Sequence, residues 1–147
     1  MFVQIAIGTG LLLANILIAA MAAMVLEGLL ARTHAWLIRE PQRPKLVVLL
    51  AGVSTCVLGV VTAGVWLWAM AYYALGVFGT LEEAVYFSLV SYTTLGFGDV
   101  LLSQQWRLLA GMEAANEFLN FGLLTALLIE GLRQVRLGQI EHRRKRG

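Results

Sequence analysis

The stretch "LEEAVYFSLVSYTTLGFGDV" runs from Leu81 to Val100. Its first part is mostly apolar, and its end packs Thr93, Thr94, Gly96, Gly98 and Asp99 into a chain that is 59% hydrophobic. Two readings compete for so small, polar and glycine-rich an end: a surface turn between helices, or backbone exposed inside a membrane. The flanking sequence decides between them.

Only 14% of the 147 residues are charged, and the mean hydropathy is +0.77. Such values suit a polytopic membrane protein rather than a soluble domain. A spanning helix needs about 20 mostly apolar residues, and three stretches qualify. Ile5 to Leu26 carries no charge, and neither does Leu46 to Leu75. At ~1.5 Å per residue the second would measure about 45 Å, so its ends must tilt or enter the headgroup region. Trp106 to Leu132 is the odd one, because it holds Glu113, Asn116, Glu117 and Asn120. No Lys or Arg precedes Arg32, and the first apolar run exceeds the ~7–15 residues of a signal peptide. A retained helix over 1–30 is therefore expected. Cys56, the single cysteine, lies within the second run, which excludes an intrachain disulfide and leaves no basis for a metal site. There is no internal repeat, low-complexity tract or soluble module.

The basic residues set the orientation. Arg32, Arg39, Arg43 and Lys45 follow the first run, and Arg133, Arg136, Arg143, Arg144, Lys145 and Arg146 follow the third; Arg107 stands apart. Lys and Arg gather on the cytoplasmic side. This predicts a cytoplasmic linker at 31–45, a basic cytoplasmic tail at 133–147, an N-terminus outside and an outer loop from Gly76 to Gln105. Membrane topology explains the basic balance, so no nucleic-acid partner is expected. Trp66, Trp68, Tyr72 and Tyr73, at the outer end of the second run, read as an interfacial aromatic belt.

Within the outer loop, Leu81 to Tyr92 is too short to cross a bilayer and suits a re-entrant helix. Thr80 with Glu83 three residues on has the capping-box pattern. The chain from Thr93 to Asp99 must then return as extended backbone, which a membrane tolerates only where it lines a watery or ionic path. Gly96 and Gly98 permit backbone angles that other residues avoid. A ring of such loops offers carbonyl oxygens that replace a cation's water shell. The fold class expected is an all-α membrane protein: three transmembrane helices, a re-entrant helix and an extended segment.

"TTLGFGDV" resembles the selectivity-filter signature of potassium channels, usually written TVGYGD. The resemblance covers Leu46 to Leu132 as outer helix (46–75), pore helix (81–92), filter (93–99) and inner helix (106–132). It implies that the carbonyls of Thr94, Leu95, Gly96 and Phe97, with the Thr94 hydroxyl, form K⁺ sites. Gly98 would complete the outer turn, and Thr93, Asp99 and Tyr86 would support the filter. Leu95 stands where valine or isoleucine is commoner, and Phe97 replaces tyrosine. The acidic pore-helix residue of some members is matched by Val90, so its pairing with the filter aspartate is absent. Tyr86, thirteen residues before Asp99, takes the place of the family's tryptophan as that partner. One chain supplies one loop where the family's filter needs four, implying a homotetramer. Four copies of Glu82, Glu83 and Asp99 would then concentrate cations at the mouth; Glu82 and Glu83 also suit a helix N-terminus. K⁺ is the permeant ion and no cofactor is implied; the chain is not expected to be an enzyme, and self and membrane lipid are the partners. A weakly selective cation channel is the nearest rival function. A non-conducting subunit that modulates a partner follows it.

Glu113, Asn116, Glu117 and Asn120 fall within an arc of about 100° on a helix of 3.6 residues per turn. Buried charge is costly in a membrane and must face protein or water. The stripe either lines the cavity beneath the filter or presses against the pore helix and neighbouring helices. "NFGLLTALL" resembles the inner helix of two-helix potassium channels, which implies that Phe121 and Thr125 face the cavity, with Phe118 and Ile129 alongside. That arrangement favours the second placement of the stripe. Asn15, mid-span in the first helix, needs a partner, and a helix–helix hydrogen bond suffices. Without periodic arginines this helix is no voltage sensor and is expected to pack outside the pore module. His34 and His142 read as solvated residues, and "EHRRKRG" as a topology signal that also suits anionic lipid.

Overall fold

The computed structural model describes residues 2–38 and 42–144. It contains α1 (Phe2–Ile38), α2 (Gln42–Ala74), α3 (Leu81–Tyr92) and α4 (Arg107–Arg144), with no strand among the described residues. Phe2–Thr33, Pro44–Ala74 and Arg107–Ile140 are long and apolar enough to cross a membrane. Their outward faces agree: Leu17, Met24, Val47, Leu58, Phe118 and Leu119 are all more than half exposed. An apolar surface of that extent needs lipid or another chain against it.

Two of the long helices, α1 and α4, run well past their apolar stretches. The segment expected as a linker, 31–45, is helical through Ile38 and again from Gln42, with residues 39–41 outside those described. The tail is helical to Arg144; the side chains of His34 and His142 lie outside the described residues. Once a helix is nucleated, each further residue fixed adds one hydrogen bond, where the first bond required several residues to be fixed. Here the extensions also pack, because Leu37 and Val135 are buried with Leu49 and Val53. Lys45 Nζ donates to the Trp36 carbonyl at 2.8 Å and sits 4.8 Å above its ring, placing a cation near the negative end of α1. Gln139 Nε2 donates to the Leu37 carbonyl at 3.2 Å. Pro44 falls in the first turn of α2, where a missing N–H leaves no bond unmade.

At the opposite end, Gly76 closes α2 with φ 64°. Val77 N–H donates to Tyr72 O and Gly76 N–H to Tyr73 O, both at 3.0 Å, the two bonds of a Schellman cap. Thr80 then starts α3, its hydroxyl accepting from Glu83 N–H at 3.2 Å. Buried Ala84 and Ser88 mark the inward face of α3, which joins Trp68, Tyr72, Leu102 and Leu109 in the core at this end. Trp68 and Tyr72 are fully buried while Trp66 and Tyr73 are about half exposed. Half of the expected aromatic belt is therefore core. The Tyr72 ring meets Phe78 and Phe87 edge-on at 5.8 and 5.6 Å, a favoured aromatic geometry.

Candidate functional site: the glycine-rich segment and the acids behind it

Thr93 ends α3, its hydroxyl donating to Leu89 O at 3.0 Å. Beyond it the backbone alternates: Thr94, Gly96 and Gly98 have φ of 56°, 54° and 75°, while Leu95 and Phe97 between them stay out of that region. Positive φ at every second residue departs from both regular helix and regular strand geometry, so the segment belongs to neither. An added Cβ at Gly96 or Gly98 would meet nothing within 4 Å, so conformation rather than space requires glycine here. Thr94 is the informative residue. It is the one non-glycine with positive φ among the described residues, and for a β-branched side chain this is a strained position that clusters at functional sites. Leu95 and Phe97 are 60% and 65% exposed in the single chain.

The return of the segment is tied to α3. Tyr86 Oη donates to Asp99 Oδ2 at 2.6 Å. This bond holds the Asp99 carboxyl below its ordinary range, and the Asp99 and Val100 amides act in the same direction. Phe121 and Thr125 of α4 line a hollow of about 680 Å³ together with Thr93, Thr94, Glu117 and Phe118. The structure thus brings the start of the glycine-rich segment and the aromatic face of α4 onto one space. The Thr125 hydroxyl donates to Phe121 O at 2.8 Å, a bond within its own helix.

The polar stripe of α4 faces protein. Glu113, Asn116, Glu117 and Asn120 are each 2% exposed or less. Tyr72 Oη donates to Glu113 Oε2 at 2.7 Å, and Ser88 Oγ donates to its other oxygen. One carboxylate thereby joins α2, α3 and α4. A turn further on, Asn15 Nδ2 donates to Glu117 Oε1 at 3.1 Å, with Asn116 Nδ2 3.4 Å from the same oxygen. Gly64 of α2 makes room for this: a Cβ there would lie 3.1 and 3.2 Å from the Asn15 amide atoms. Sequence reasoning assigned neither Tyr72 nor Ser88 to Glu113. The signal for Asn15 was its isolation in an apolar run, which implied a partner but not which one.

The family described as Ion channel matches residues 47–134, more than half of the chain. Those residues include most of α2, all of α3 with the glycine-rich segment, and the greater part of α4. The chain belongs to this ion channel family, and with its three apolar helices it is a multi-pass membrane protein. No curated protein and no solved structure matches it. α1 precedes the matched region, yet it inserts Asn15 against a residue of that region.

Proposed function

We propose that the protein is a potassium-selective channel, conducting K⁺ passively through a homotetrameric pore whose filter is the segment Thr94 to Gly98. The observation that carries this reading is the alternation of positive φ at Thr94, Gly96 and Gly98. In this reading the segment offers backbone oxygens, rather than side chains, to a dehydrated cation. Two further features support it. α3 ends at Thr93, beside the hollow, so the negative end of its dipole is set to favour a cation there. The apolar outward faces of Phe118 and Phe121, 70% and 67% exposed, fit a cavity and subunit contacts shared by four copies. In this reading the basic ends are cytoplasmic, and Glu82, Glu83 and Asp99 ring the outer mouth.

Reconstitution into liposomes with a potassium gradient tests the function. Potassium efflux well above sodium efflux, abolished by Gly96→Ala, is the expected result. Equal sodium flux would move the protein to a weakly selective cation channel. No flux from the intact chain would leave a subunit that modulates a partner.

A further inference from the structure

α1 lies outside the matched channel region, yet it follows α4 from one end to the other. At the end nearest the glycine-rich segment, Gln4 Nε2 donates to the Gln105 carbonyl, in the chain that leads from that segment into α4. A turn further along α1, Gly8 is pressed so close to α4 that an added Cβ would lie within 3.1 Å of Met112 and Leu109. Midway, Asn15 donates to Glu117 at 3.1 Å. Toward the basic end, a Cβ on Gly131 would lie 3.3 Å from Leu30, and Gln139 donates to the Leu37 carbonyl at 3.2 Å. Small residues at such contacts let two helices in a membrane approach closely.

The other side of α4 is different. There the hollow of about 680 Å³ opens, with Val57 and Val61 on the α2 wall and Phe118, Phe121 and Leu128 on the α4 wall. α4 is close-packed against α1 and faces open space toward α2, so α1 supplies its main restraint along the span.

Glu117 connects this restraint to the glycine-rich segment. It borders the hollow together with Thr93 and Thr94. Of the side chains that serve its carboxylate, Asn116 and Asn120 belong to α4 itself, and among the described residues Asn15 alone comes from another helix. Glu113, one turn away, ties α4 to α2 and α3. Two acids on one face thereby join α4 to every other helix, and Asn15 supplies the share of α1. Removing it takes a donor from a buried carboxylate, which is costly in an apolar setting.

We propose that α1 is a positioning element of the conduction path: Asn15, through Glu117, and Gln4, through the Gln105 carbonyl, hold α4 and the chain returning from the glycine-rich segment in place. α1 and α4 then move as one body. This role deepens the reading of the protein as a channel and rests on it for its electrical readout.

Single-channel recording of the full chain carrying Asn15→Leu, which removes the amide and keeps the bulk, separates positioning from mere support. Support alone would lower thermal stability and the number of active channels, while each remaining channel behaved as wild type. Positioning predicts a several-fold change in open fraction or unitary current in the channels that remain. Amide hydrogen exchange on the same protein reads the contact without any current. Exchange should quicken several-fold in α4 around Glu117 and in the chain leading to it from Thr93. If Asn15→Leu does not fold, Gln4→Leu takes its place with the same two readouts. Openings like those of the wild type, or faster exchange confined to α1, overturn the proposal. A wild-type chain that carries no current, with the expected exchange pattern in Asn15→Leu, supports the positioning of α4 by α1 and counts against the conduction reading instead.

Discussion

Asn15 and Glu117 lie 102 positions apart in sequence, yet their side chains meet at 3.1 Å in the interior of the bundle. The contact fixes a helix outside the matched channel region to the helix that borders the hollow beneath the glycine-rich segment. Gly64 is what admits it. A Gly64→Ala substitution crowds the Asn15 amide at 3.1–3.2 Å and should cost about 1–3 kcal/mol, as overpacking does. In an Asn15→Ala background the same change should cost little. A double-mutant cycle on thermal unfolding in detergent measures the coupling; additive effects would show that Gly64 and Asn15 are independent.

Glu113 depends on hydroxyls from two other helices. Tyr72→Phe removes one and leaves a buried carboxylate oxygen unserved, at a cost of about 1–3 kcal/mol. Replacing Glu113 by Gln in that background should recover part of the loss, since a neutral amide needs less compensation. Thermal stability of the four combinations checks this. An unchanged midpoint in Tyr72→Phe would mean the bond contributes nothing.

The Tyr86–Asp99 bond has a pH signature. Asp99 titrates below its ordinary 3.8 because Tyr86 donates to the charged form. A depressed carboxyl contributes stability that is present above the ordinary value and is lost as pH falls through the folded one. The bond should therefore hold at neutral pH and fail only in acid below 3.8. Tyr86→Phe should raise the Asp99 titration and hasten any loss of current through the proposed filter. Carboxyl NMR for the titration and current decay for the kinetics are the two readouts; unchanged decay would remove Tyr86 from filter support.

Much of this was legible in the residues. Uninterrupted apolar runs mark three spans because lipid demands them, and Thr80 with Glu83 marks the start of α3 because a hydroxyl can take the free N–H. The glycine spacing in "TTLGFGD" signals unusual backbone angles at 96 and 98. Thr94 does not advertise its own positive φ, since a threonine there is held by its surroundings rather than by preference. Helix continues over 31–38 and 133–144, which hydropathy does not reveal, because that signal stops where lipid stops while the hydrogen-bond ladder continues. Trp68 and Tyr72 read as interfacial because aromatic position along a span is visible in sequence and rotation about its axis is not. The stripe from Glu113 to Asn120 was recognisable as one face. Its partners at Tyr72, Ser88 and Asn15 were not, being 25 to 102 positions distant.

Backbone strain at the segment yields a sharper expectation. Gly98 has φ 75° with open space around it, so Gly98→Ala meets no clash and suffers only from conformation, at about 1 kcal/mol or more. The protein should still fold and keep its thermal midpoint within a few degrees. Conduction should fall steeply. Parallel measurement of midpoint and single-channel current separates the two, and normal current in Gly98→Ala would mean that the left-handed geometry at 98 is dispensable.

The most direct test of potassium selection is the reversal potential of the purified chain in a planar bilayer, with potassium chloride on one side and equimolar sodium chloride on the other. A potential displaced strongly toward potassium equilibrium is predicted, collapsing with loss of current in Gly96→Ala. A reversal near zero, with substantial current carried by both ions, would contradict the account.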